Sequence, residues 1–154
     1  MSDEPKPLAP NIAAAFQGIR SAFITEHPLF GDLNVRPLRV GAGEMAVTLT
    51  PTEKFLDRGH VHSGMMTVFL DTLMGFVTWT MLDEFQPLAT INLQTDTYSH
   101  CDANEEITCE AVCEGIMDDV SIVRGKVTAA DGTLLATAAG TFMVGTRSAQ
   151  VSRI

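Results

Sequence analysis

The chain has 154 residues, of which 45% are apolar and 19% charged, and its formal net charge is −9. That length and balance describe one globular domain able to bury a sizeable core, and they exclude a disordered chain. The acidity argues against a nucleic-acid binder, which needs a basic face for phosphates.

Cys101, Cys109 and Cys113 form no CxxC pair. Neither a disulfide framework nor a zinc site is indicated, so a reducing cytoplasm is the expected location. The opening MSDEPKPLAP lacks the basic-then-apolar pattern of a secretory leader. Residues 1–9 read as a flexible polar tail, and residues 10–154 as the single domain.

From Pro10, the positions Ile12, Ala15, Phe16, Ile19 and Phe23 have helical spacing, with Asn11 as a candidate cap and His27-Pro28 as the stop. Residues 33–49 alternate around Gly41-Ala42-Gly43-Glu44 and predict a β-hairpin. Residues 51–61 read as a loop.

Residues 64–82 are the run on which the chain is organised: GMMTVFLDTLMGFVTWTML, apolar or small throughout except for one charge, Asp71. The run is too long for a strand and predicts a buried helix. It approaches the length of a membrane span, but Asp71 and four threonines argue against one, so no membrane partner is expected.

Strands follow. Residues 89–98 alternate, with Ile91, Leu93 and Thr95 on one face and Thr90, Asn92 and Gln94 on the other. Residues 105–116 alternate through Ile107, Cys109, Ala111 and Cys113. Residues 120–129 and 133–144 flank an Asp131-Gly132 hairpin turn. Strands that are not interleaved with helices give an α+β class with an antiparallel sheet of about six strands. Only the 64–82 helix is long enough to cover one face, so the sheet should wrap it.

A carboxylate inside an apolar helix is costly unless paired or used. Asp is also a poor mid-helix residue and lies too far in to be a cap. Asp71 is therefore the first candidate functional residue. Before it stands Gly59-His60-Val61-His62-Ser63-Gly64. Ser63 suits the N-cap, and the free N–H groups of the first turn would hold an anion or a developing oxyanion. His60 and His62 lack the further ligands of a catalytic zinc, so no metal is expected. Thr90, opening a strand, could hydrogen-bond Asp71 or a water, and His100 reads as a solvated turn residue. Neither a dinucleotide fingerprint nor a P-loop is present.

His62-Ser63-Gly64 followed by residues 65–71 resembles the His-Gly-Gly…Asp motif of hotdog-fold acyl-CoA thioesterases. The branch is the phenylacetate-pathway (PaaI-like) one of the 4-hydroxybenzoyl-CoA thioesterase superfamily. Residues 89–95 resemble the strand that follows that family's central helix, and the likeness covers residues 33–146. It implies a hotdog fold and cofactor-free thioester hydrolysis of an acyl-CoA. The site would lie between the subunits of a homodimer, often paired into a tetramer.

Position by position, the resemblance makes Asp71 the general base or nucleophile. Ser63, with Gly64, becomes the main-chain oxyanion donor, His62 a residue lining the site, and Thr90 the residue orienting the carboxylate or water. His60, Arg58, Met65 and Met66 stand beside these as candidate substrate contacts, with Phe69 and Met74 as further apolar neighbours. One departure stands out: where the family has an Asn six residues before the His, this chain has Leu56. The alternative is therefore a non-catalytic acyl-CoA or acyl-carrier binding protein on the same scaffold, with a hotdog dehydratase third. Arg58, Arg124, Lys126, Arg147 and Arg153 are candidate phosphate partners.

Overall fold

The computed structural model describes residues 4–21 and 26–146. Helix α1 spans Pro10–Ser21. Pro10 occupies the first helical position, where a missing N–H costs nothing. The Ala13 N–H donates to the Ala9 carbonyl at 2.9 Å, so Ala9 is the cap and Asn11, the expected cap, lies inside the helix. Phe23, expected on the same apolar face, lies outside the described residues.

Strands β1 (Arg36–Gly41) and β2 (Glu44–Leu49) form the expected hairpin. Gly43 takes φ +85° at its turn. Residues 4–9 pass this turn, and Ala42 N–H donates to the Lys6 carbonyl at 2.9 Å, so part of the expected flexible tail is anchored. The expected loop 51–61 is partly regular. It holds a single 3₁₀ turn at Glu53–Phe55 and a small hairpin of β3 (Leu56–Asp57) with β4 (His60–Val61). Arg58 and Gly59 between them have φ 53° and 91°, the left-handed pair that a mirror-type two-residue turn requires.

Helix α2 is Gly64–Trp79, shorter than the apolar run. Its last turn tightens: Met81 N–H donates to Thr78 O and Leu82 N–H to Trp79 O. Thr80 Oγ1 meanwhile accepts the Gly43 N–H at 2.9 Å, tying the helix end to the β1–β2 turn. The remaining strands are β5 (Leu88–Thr97), β6 (Ile107–Met117), β7 (Val120–Ala129) and β8 (Leu134–Val144).

Six strands form one antiparallel sheet in the order β1-β2-β6-β7-β8-β5, as the α+β reading requires. Helix α2 lies across its middle, chiefly on β6 and β7. Two glycines permit the close approach: a Cβ on Gly125 would meet Leu70 Cδ2 at 2.8 Å, and one on Gly140 would meet Met74 Cε at 3.1 Å. Leu70, Met74 and Val77 of the helix are fully buried against Ile107, Cys109, Val123 and Val127. Thr78 Oγ1, inside this core, satisfies itself on Met74 O and on Ser121 Oγ at 2.9 Å. The sheet's other face carries ion pairs across strands, among them Arg39–Glu44, Lys126–Glu110 and Arg124–Glu114.

Helix α2 is not covered on all sides, contrary to expectation. Asp71, Thr72, Gly75, Phe76 and Trp79 are only half-buried. Strand β5 departs too, because the register with β8 slips between Thr90 and Asn92. This bulge leaves Ile91 53% exposed, although alternation had put it with inward Leu93 and Thr95. Among the described residues β5 also ends the sheet, and no strand pairs with its outer edge.

Candidate active site

The open side of α2 follows a simple spacing. Asp71, Gly75 and Trp79 are four apart and share a helix face, as do Thr72 and Phe76. Beside them the β5 bulge brings Thr90 over the helix, and its Oγ1 donates to Asp71 Oδ1 at 2.9 Å. Asp71, Gly75, Trp79, Leu88 and Thr90 border a recess of about 220 Å³. Gly75 faces this open space, where a Cβ would meet nothing within 4 Å. Trp79 is fixed at the rim by Nε1 donating to Gln86 O at 2.7 Å and by ring contact with Phe85 at 4.2 Å.

The helix N-terminus is built differently from expectation. Ser63 occupies the N-cap position, but its side chain makes no capping bond. His62 caps instead, its Nδ1 accepting the Gly64 N–H at 2.9 Å. The Ser63 N–H has no partner among the described residues, so of the two expected oxyanion donors Ser63 is the one left available.

His60 belongs to a separate pair. Its Nδ1 lies 2.6 Å from Asp102 Oδ1, and its ring contacts His100 at 3.9 Å. The main chain ties this cluster to the helix start, since Val61 N–H donates to Cys101 O and His62 N–H to Phe55 O. Leu56, at the position of the family's Asn, is 36% exposed on β3. Arg58 sits at the apex of the β3–β4 turn. Arg124 and Lys126 are engaged by Glu114 and Glu110, whereas Arg58 has no ion pair among the described residues. Arg147 and Arg153 lie outside the described residues.

Of the apolar candidates, Met65 is half-buried, but Met66 and Met74 are sealed in the core at 1% and 0% exposure. Phe69 borders a second cavity instead. This apolar space of about 260 Å³ lies between α1, the β1–β2 hairpin and α2. No periodicity in the sequence signalled it, because its walls come from five separate elements, α1, β1, β2, α2 and Cys109 of β6. The Asp71-Gly75-Trp79 stripe went unread too, although its four-residue spacing stands in the sequence.

The cysteines are not poised as nucleophiles. Burial, then the charges of Glu105 and Asp102, push the Cys101 thiol up to about 11. Burial also raises Cys109 and Cys113. Among the described residues no three His, Cys, Asp or Glu side chains are grouped to hold a metal ion, and no helix is long and apolar enough to cross a membrane.

No family model matches the sequence, nor does any curated protein. Solved structures do. The chain is similar to a phenylacetic acid degradation-related protein of Ralstonia eutropha JMP134, with 27% identity, 80% of this chain and 98% of that one covered, and a TM-score of 0.69. It is similar to the PaaI protein of the Escherichia coli phenylacetic acid degradation operon at 15% identity, over 87% and 90% of the chains, with a TM-score of 0.70. The Streptococcus mutans UA159 protein smu.793, solved bound to acetyl-CoA, matches at 20% identity over 75% and 92%, with a TM-score of 0.67. The fold is the hotdog fold, and the likeness to PaaI-like proteins drawn from His62-Ser63-Gly64 and Asp71 is borne out.

Proposed function

We propose that the chain is an acyl-CoA thioesterase that hydrolyses its substrate to a free acid and the coenzyme thiol, in the cytoplasm and without a cofactor. One observation carries this: a carboxylate in mid-helix, fixed by Thr90 Oγ1 at 2.9 Å, faces an open recess rather than a counter-charge. A thioester is already activated, because sulfur overlaps poorly with the carbonyl and thiolate leaves readily. It needs a base, an oxyanion donor and a dry pocket.

Helix geometry then bears on assembly. Ser63 precedes Asp71 by eight residues, about 12 Å along the axis at 1.5 Å per residue. One carbonyl does not reach both within a single chain. A homodimer whose two α2 helices run antiparallel supplies both, and the half-covered stripe of α2 and the unpaired β5 edge with exposed Ile91 favour it. A tetramer would pair two such dimers.

In the reaction, Asp71 takes a proton from a water held with Thr90, and the oxygen attacks the thioester carbon. The partner's Ser63 N–H receives the developing oxyanion at a positive helix end. Collapse expels the thiolate, which takes up the proton from Asp71. Arg58 and His60, near the helix start, would meet the charged coenzyme, with His62 and Met65 beside it. The test is thiol release across short, long and aryl acyl-CoAs. Release with at least one class is expected; tight binding with no release by any would make the chain a binding protein on this scaffold.

A further inference from the structure

The apolar cavity adjoins the recess at Asp71: Thr72 and Phe76 border both. Thr72 spends its hydroxyl on Val68 O at 2.9 Å. The Phe76 ring stands edge-on between Phe16 of α1, at 5.9 Å, and Trp79, at 5.3 Å. Beyond it the walls are hydrocarbon and one thiol, from Phe16, Val40, Val47, Leu49, Phe69 and Cys109, with Gln17 at the edge.

We propose that this cavity receives the far end of the acyl group, so that the preferred substrate is a medium-chain aliphatic thioester. The placement of the thioester rests on the thioesterase reading; the cavity's appetite for hydrocarbon does not. An apolar cavity of about 150 Å³ holds a benzene ring, about 25 Å³ per carbon, so 260 Å³ accommodates roughly ten carbons. A hydroxyl or carboxylate on the tail would be stranded there, because among the described lining residues only the side chains of Gln17 and Thr72 offer nitrogen or oxygen atoms. Short acyl groups would leave the space unfilled and longer ones would exceed it.

The experiment is calorimetric affinity of acetyl-, hexanoyl-, decanoyl- and hexadecanoyl-CoA for the Asp71→Asn protein, with hydrolysis by the parent measured alongside. Affinity should rise roughly threefold to fourfold per methylene up to about ten carbons and then level off. Val47→Trp, which fills the cavity, should move that limit to shorter chains; Phe16→Ala, which enlarges it, should move the limit to longer ones. If Val47→Trp does not fold, the Phe16→Ala shift decides the matter. Affinity that is flat from two to ten carbons, or a limit unmoved by the variants that fold, overturns the proposal. Affinity that climbs while the parent releases no thiol keeps the cavity's role and removes the enzyme.

Discussion

Two inactive variants, Asp71→Asn and Ser63→Pro, should restore activity to each other. The first removes the base, which should cost ~10²–10⁴ in kcat. The second deletes one N–H, which should cost ~10²–10³. Ser63 has φ −56°, within the range that a proline ring imposes, and its N–H holds no bond among the described residues. The change therefore removes a donor with little backbone strain. The two groups lie about 12 Å apart on one helix, so under the proposed mechanism each site draws them from different chains. Unfolded, mixed in equal amounts and refolded, the variants pair at random and half the dimers are mixed. One of the two sites in a mixed dimer then holds both an intact Asp71 and an intact Ser63, which gives about a quarter of parental turnover. Each variant refolded alone is the control, and distinct affinity tags report that mixed dimers formed. Mixed dimers present in quantity with no recovered thiol release would refute the shared site.

Thr90→Val should lower kcat roughly tenfold to a hundredfold, the cost of a hydrogen bond to a charged group at ~1.5–3 kcal/mol, while Thr90→Ser should keep most activity. Gly125→Val should lower the melting temperature, since even a Cβ would meet Leu70 Cδ2 at 2.8 Å and Glu110 O at 3.2 Å; overpacking of this kind costs ~1–3 kcal/mol, read by thermal denaturation. The thiols should resist alkylation in the native protein and react on unfolding, as a thiol titration in and out of denaturant would report. Their raised pKa carries a pH sign. Native Cys101 keeps its proton up to about 11 while the unfolded thiol loses it near 9. Stability should therefore fall as pH rises through that window, and less so in Cys101→Ala.

The fold was largely legible because its signals are local. The apolar run at 64–82, the alternation through Ile107, Cys109, Ala111 and Cys113, and the Asp131-Gly132 turn each survive in the structure. The misses are tertiary. The Ile91 bulge answers to the pairing of β5 with β8, and no alternation rule contains it. Ser63 has the right chemistry for a cap, but the His62 ring reaches the Gly64 N–H first. The helix ends at Trp79, where the bonding tightens to Met81 N–H on Thr78 O and Leu82 N–H on Trp79 O, and the Thr80 hydroxyl beyond it is tied to the β1–β2 turn, thirty-seven residues away. Asp71 stood out because a lone carboxylate in an apolar helix demands a reason; its partner Thr90 needed the folded sheet to confirm the bond. Met66 had the right composition for a substrate wall and the wrong side of the helix.

If Asp71 is the base that acts on the thioester, kcat/KM of Asp71→Asn on the parent's best acyl-CoA will register its loss. Asparagine keeps the size of the side chain and can still meet Thr90 Oγ1. The expected result is a folded variant that binds the substrate with near-parental affinity and hydrolyses it ~10²-fold or more slowly. Parental turnover by that folded variant would remove Asp71 from the chemistry.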